Sequence, residues 1–142
     1  MIKQVDVLVI HPSWILAFIL GSIWGSFCNV CIYRLPLEQN VMKGRSFCPS
    51  CKEQIRWFDN IPFFSFLFLK GKCRKCNIKI SIQYFIVELI SALSFLFIFY
   101  IYGISITTLL LIILSIFFII IFFIDSKHYI IPNELTFPLM FI

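Results

Sequence analysis

Charge is what this sequence lacks most. Only 13% of its 142 residues are Asp, Glu, Lys or Arg, against 61% apolar, and the mean hydropathy is +0.97. A soluble domain of this size covers itself with roughly a quarter charged residues, so a water-soluble globular fold is excluded. Glycine is scarce as well. Five in the whole chain leave no Gly-rich loop for nucleotide phosphates. No Ser–His–Asp or Cys–His grouping is present, nor an internal repeat of useful length, nor a low-complexity tract beyond richness in Phe and Ile. The formal net charge of +5 would suit nucleic acid, but its distribution does not. Ten of the twelve Lys and Arg fall between Arg34 and Lys79, the one long polar segment. Basic residues gathered in a loop beside apolar runs are the positive-inside signature. That loop is expected on the cytoplasmic side, and nucleic acid is not an expected partner.

The apolar runs set the architecture. Trp14 to Tyr33 is twenty residues without a charge, enough for one helical crossing at about 1.5 Å per residue. The preceding residues 1–13 hold one Lys, and Arg34 and Pro36 follow the run instead of a small-residue cleavage site. A retained anchor is therefore expected, not a removed signal peptide. Residues 35–81 form the polar loop, in which Ile61–Leu69 is an apolar stretch of nine, too short to span. It is expected to pack on the loop's own core or to dip into the interface. From Ile82 to Ile124 come forty-three residues with Glu88 as the only charge. That length fits two spans, 82–102 and 104–124, joined by a turn near Gly103. Residues 125–142 then carry a polar turn and the opening of a fourth span. The fold predicted is an all-α polytopic membrane protein with three spans, the start of a fourth, and a small cytoplasmic loop.

Six cysteines stand in three C-x-x-C pairs. Cys48/Cys51 and Cys73/Cys76 are separated by twenty-one residues of the polar loop. Two such pairs brought together by a hairpin make the tetrahedral four-sulfur cage that suits zinc, with iron as the other candidate. A cytoplasmic loop is a reducing setting, which disfavours disulfides. The cage has no open position for substrate, so its expected role is to fold a zinc-ribbon-like loop. Lys52, Arg74 and Lys75 stand where they offset the thiolate charge. Cys28 and Cys31 lie mid-span at i,i+3, where cysteine packs as a small apolar residue.

Two carboxylates remain. An ionisable group inside a span is costly and is by default a functional candidate. Glu88 is the deep one, about two turns into its helix, with a structural partner among the loop's Lys or Arg as the ordinary explanation. Asp125 emerges near the interface, where position alone makes it a helix-end residue, and His128 beside it is an interfacial residue on the same grounds. By counting from Gly103, Asp125 is expected about 10 Å nearer the cytoplasm than Glu88.

Four segments in order resemble the bacterial prepilin leader peptidases, membrane aspartic peptidases of type IV pilus and type II secretion systems. They are "GSFCNVCIYRLP" (25–36), "RSFCPSCKEQIRWFDNIP" (45–62), "KCRKCNIKISIQYFIVE" (72–88) and "IDSKHYIIPNELTFPL" (124–139). Together they cover nearly all of the chain. The sequence departs from the family pattern at Gln83 and Phe85, where Arg and Pro are usual, and at Asn133, where Asp is usual. The resemblance implies that Asp125 is half of a catalytic dyad whose second aspartate sits in a Gly-x-Gly-Asp motif on a later span, outside these residues. The chain is then expected to be an N-terminal portion, inactive alone and needing the missing C-terminal portion. The resemblance further implies a prepilin or pseudopilin substrate, the bacterial inner membrane, and N-methylation of the new N-terminus with S-adenosylmethionine. The competing expectation is non-catalytic: a zinc-stabilised membrane scaffold or regulator in a pilus or secretion assembly.

Overall fold

The computed structural model describes residues 12–42, 46–48, 50–56, 63, 68–129 and 135. Three long helices make the frame: α1, Pro12–Arg34; α2, Gln83–Tyr102; and α3, Ile106–His128. All three are long and apolar enough to cross a membrane, which makes this a multi-pass membrane protein. A short 3-10 turn, Leu35–Leu37, follows α1. Among the described residues there is no strand, only the isolated antiparallel bridges Phe47–Gln54 and Lys72–Lys79. The expected opening of a fourth span lies outside the described residues, apart from the buried Leu135.

The helix ends follow from local chemistry. Gly103 closes α2 with φ +59°, a left-handed value at which a side chain is strained. Ser105 opens α3, its hydroxyl accepting from the Thr108 amide at 3.1 Å, the usual work of a Ser N-cap. The Thr108 hydroxyl donates back to the Gly103 carbonyl at 2.6 Å, so a few residues reverse the chain. At the far end Tyr129 turns left-handed and its N–H caps the Asp125 carbonyl at 2.9 Å.

α1 and α2 pack more closely than any other pair, and glycine is the reason. A Cβ built on Gly25 would lie 2.7 Å from the Glu88 Cα, and one on Gly21 would lie 2.7 Å from the Ala92 Cα. Lipid tails are as apolar as leucine, so helices gain little by hiding apolar surface from them. Close backbone approach and van der Waals contact hold the pair instead. The seam is also polar: Ser22, Asn29, Glu88 and Ser91 are all buried. The Asn29 side-chain amide donates to the Tyr84 carbonyl at 3.0 Å. Ile119, Ile120 and Ile124 of α3 join Cys28, Cys31, Ile32 and Val87 in one apolar cluster nearer the loop end. Cys28 and Cys31 thus pack in the core. Trp14 meets Tyr100 edge-on at 5.6 Å at the opposite end. Ile15, Leu16, Phe97, Leu109 and Phe122 stay exposed on outer faces, as a bilayer solvent permits.

Candidate functional site

The polar loop folds as two copies of one small turn. In the first, the Lys52 amide donates to the Cys48 carbonyl, the Cys48 amide to Glu53, and the Ile55 amide to Ser46. In the second, Asn77 donates to Cys73, Cys73 to Ile78, and Ile80 to Gly71. Lys52 and Asn77 take matching left-handed φ values of 57° and 55°. Each cysteine, bridge and turn residue of 46–55 reappears twenty-five positions later. This ten-residue repeat is carried by the backbone. In sequence only the cysteines and a terminal isoleucine survive, so no repeat is visible there.

The two turns bring Cys48, Cys51, Cys73 and Cys76 together, with all four sulfurs within 4.8 Å of one another. A tetrahedral ion with metal–sulfur bonds of about 2.3 Å spaces its sulfurs about 3.8 Å apart. Cys48 Sγ and Cys76 Sγ stand 3.8 Å apart. The cage therefore fits a tetrahedral metal ion. Its electrostatics agree. Amide hydrogen bonds from Cys76 and then Lys75 bring the Cys73 thiol down to about 7. Cys76 also receives an amide bond from Ile78, but burial and the crowding of Cys73, Cys51 and Cys48 push it up to about 11. Four thiolates this close repel, and a cation resolves the conflict. Lys75 does not face the sulfurs alone: its Nζ pairs with Glu53 at 2.6 Å, and that bond raises its own pKa. Lys52 sits 5.4 Å from the centre of the Phe47 ring.

Below this ribbon the helices hold Glu88. Its carboxylate accepts from the Phe63 amide at 3.1 Å and hydrogen-bonds the Ser26 side chain. Sequence reasoning weighed a structural pair with a loop Lys or Arg against a functional role. Among the described residues the partners are an amide and a hydroxyl. Phe63 belongs to the short apolar stretch of the loop and reaches into the bundle. Its ring stacks on Phe18 at 5.6 Å and meets Phe85 edge-on at 5.6 Å. The remainder of Ile61–Leu69 up to residue 67 lies outside the described residues. Ser26, Asn29, Tyr84 and Phe63 were missed as companions of Glu88. The signal was available for α1, where Gly21, Ser22, Gly25, Ser26 and Asn29 recur at helical spacing on one face.

Between ribbon and seam lies a cavity of about 720 Å³. Cys48 and Cys73 border it from the ribbon, Glu88 and Tyr84 from α2, and Lys127 from α3. Asp125 is exposed, one turn before the end of α3. It is not among the described residues that line the cavity, although Lys127, two positions on, is. The structure brings the four cysteines together, sets Cys48, Cys73 and Glu88 on one cavity, and leaves Asp125 exposed near the end of α3.

A membrane helix pair with a two-turn cysteine ribbon inserted between its members is a constellation that comparison with known proteins can place. Residues 19–102 match the family described as the bacterial peptidase A24 N-terminal domain, and the chain belongs to that family. It is similar to the prepilin leader peptidase/N-methyltransferase of Vibrio cholerae, at 42% identity over 136 residues, covering 88% of this chain and 53% of that protein. The enzymes of the same name from Myxococcus xanthus and Neisseria gonorrhoeae are 37% and 36% identical. Those matches cover 87% and 96% of this chain, and 37% and 57% of the relatives. The chain thus spans about half the length of the curated relatives it matches. No solved structure matches it.

Proposed function

We propose that the chain is the N-terminal part of a membrane aspartic endopeptidase that removes the leader from type IV prepilins or pseudopilins and methylates the new N-terminus. The names of its relatives carry this reading. Asp125 is one acid of the catalytic pair, and the other comes from the additional length that those relatives possess. Two close carboxylates cannot both ionise easily and share a proton. One then takes a proton from the attacking water while the other donates to the scissile carbonyl. An exposed Asp125 at the end of α3 suits that task, since water and an extended peptide both reach it. Glu88, buried and bonded to Phe63 and Ser26, is not placed to be its partner acid.

In this reading the ribbon faces the cytoplasm of a bacterium, in line with the Lys and Arg bias of residues 34–79, and the bundle sits in the inner membrane. The four cysteines hold structural zinc, which folds the ribbon and takes no part in the chemistry. S-adenosylmethionine supplies the methyl group. The decisive measurement is leader cleavage by the full-length gene product in lipid. Asp125→Asn is expected to lower the rate by about 10²–10⁴, the usual worth of a positioned acid or base, with membrane insertion unchanged. The 142 residues alone are expected to leave the substrate intact. Unimpaired cleavage by the variant would favour the scaffold reading.

A further inference from the structure

We propose that the loop between α1 and α2 re-enters the membrane at Phe63, and that Glu88 is the positioning residue that fastens it there and so holds the ribbon over the seam. Depth along the helices carries the inference. Counted from Gln83, the loop end of α2, Glu88 is five residues in, about 8 Å along the axis. Counted from Arg34, the loop end of α1, Ser26 is eight residues in and Phe18 sixteen, about 12 and 24 Å. Phe63 is a loop residue, yet its amide donates to the Glu88 carboxylate at 3.1 Å. Its ring stacks on that of Phe18 with centroids 5.6 Å apart. Both contacts fall within a hydrocarbon layer about 30 Å thick.

Backbone outside a helix is tolerated at that depth only where protein satisfies its polar groups, because lipid tails offer no hydrogen bond. Glu88 supplies the acceptor. A carboxylate has about four acceptor positions, enough for the Phe63 amide and the Ser26 side chain together. Its height is fixed as well: Glu88 is only 9% exposed, and Gly25 of α1 lies against its backbone. Phe63 takes a left-handed φ of 59°, an uncommon state for a bulky residue that persists where the surroundings over-determine it. Here Phe18 of α1 and Phe85 of α2 both meet its ring, so the two helices grip it together. Phe63 also falls between the cysteine pairs, twelve residues after Cys51 and ten before Cys73. Fastening that midpoint sets both turns above the seam and keeps the ribbon as the roof of the cavity. The arrangement depends on the spans and not on the protease reading.

The test measures depth directly, by fluorine NMR of the full-length gene product in nanodiscs whose lipids carry a nitroxide on either the headgroup or the middle of the acyl chain. One 4-trifluoromethylphenylalanine is placed at Phe63 or, as a reference, at the exposed ribbon residue Ser50. The ratio of acyl-chain to headgroup broadening is expected above one at 63 and below one at 50. A ratio below one at 63 overturns re-entry without any change at Glu88. Glu88→Ala, which removes the acceptor, should bring the ratio at 63 below one, and Glu88→Gln, which keeps an acceptor oxygen, should hold it above one. An unchanged ratio in Glu88→Ala overturns the role of Glu88, as does loss of the ratio in Glu88→Gln. Loss of helical circular dichroism in Glu88→Ala also counts against it, because the role is confined to the loop.

Discussion

The ribbon and the α1–α2 seam lie against each other, yet different physics holds each of them. In the seam, two glycines let the backbones touch. Ser22 and Asn29 find hydrogen-bond partners within the helix and across the interface, while the Ser91 hydroxyl has none among the described residues. In the ribbon almost every described side chain is exposed or half-exposed, a handful of turn hydrogen bonds define the backbone, and four sulfurs supply the centre. The seam is a packing solution. The ribbon has the geometry of a coordination solution, suited to a segment so rich in charge that it has too little apolar surface to bury. The two regions should therefore fail separately and for separate reasons.

Metal removal should break that contrast most completely. Structural zinc contributes about 10–16 kcal/mol in small cysteine sites. A strong chelator, or Cys48→Ser, is thus expected to destabilise the ribbon residues 46–48, 50–56 and 68–80, which then open far more often, while α1–α3 stay helical. Hydrogen exchange would report the loss in the ribbon amides, and far-UV circular dichroism would report retention of the helices. The converse experiment is Gly25→Leu. Its side chain would collide with the Glu88 backbone, and a cost of about 3 kcal/mol is expected, at the upper end for overpacking. Cysteine cross-linking between α1 and α2 should fall, with the ribbon's metal content preserved.

A smaller effect should come from pH. The Cys73 thiol sits below its ordinary 9, at about 7. Its contribution to the metal-free ribbon is therefore complete above pH 9 and is lost as pH falls through about 7. Metal affinity moves with the same sign, because ions displace protons from thiols. Below about pH 7 one further proton must be displaced, so zinc affinity measured by competition should fall about tenfold more steeply per pH unit there than above it. The seam should show no such step.

What could be read from sequence divides along the same line. Three spans were legible because apolar length is a one-dimensional property, and four paired cysteines were legible because metal cages recur at characteristic spacings. The partners of Glu88 were not. Ser26 and Phe63 reach it from thirty-seven residues apart in the chain, and only the register set by Gly21 and Gly25 brings α1 to the correct height. The repeat within 46–80 was hidden because it consists of hydrogen bonds and two left-handed residues, Lys52 and Asn77, which share no side-chain chemistry. Asp125 was found by resemblance alone, and its exposed place on α3 carries no mark of its own.

The ribbon occupies the segment between α1 and α2, the two helices that later touch most closely. A nascent protein must bring those two together across forty-eight intervening residues, and capture of one ion by the four cysteines, as proposed, would draw much of that slack together before the second helix docks. Cellular metal supply would then act as a checkpoint on biogenesis, with starved cells accumulating the first two helices inserted but unmated.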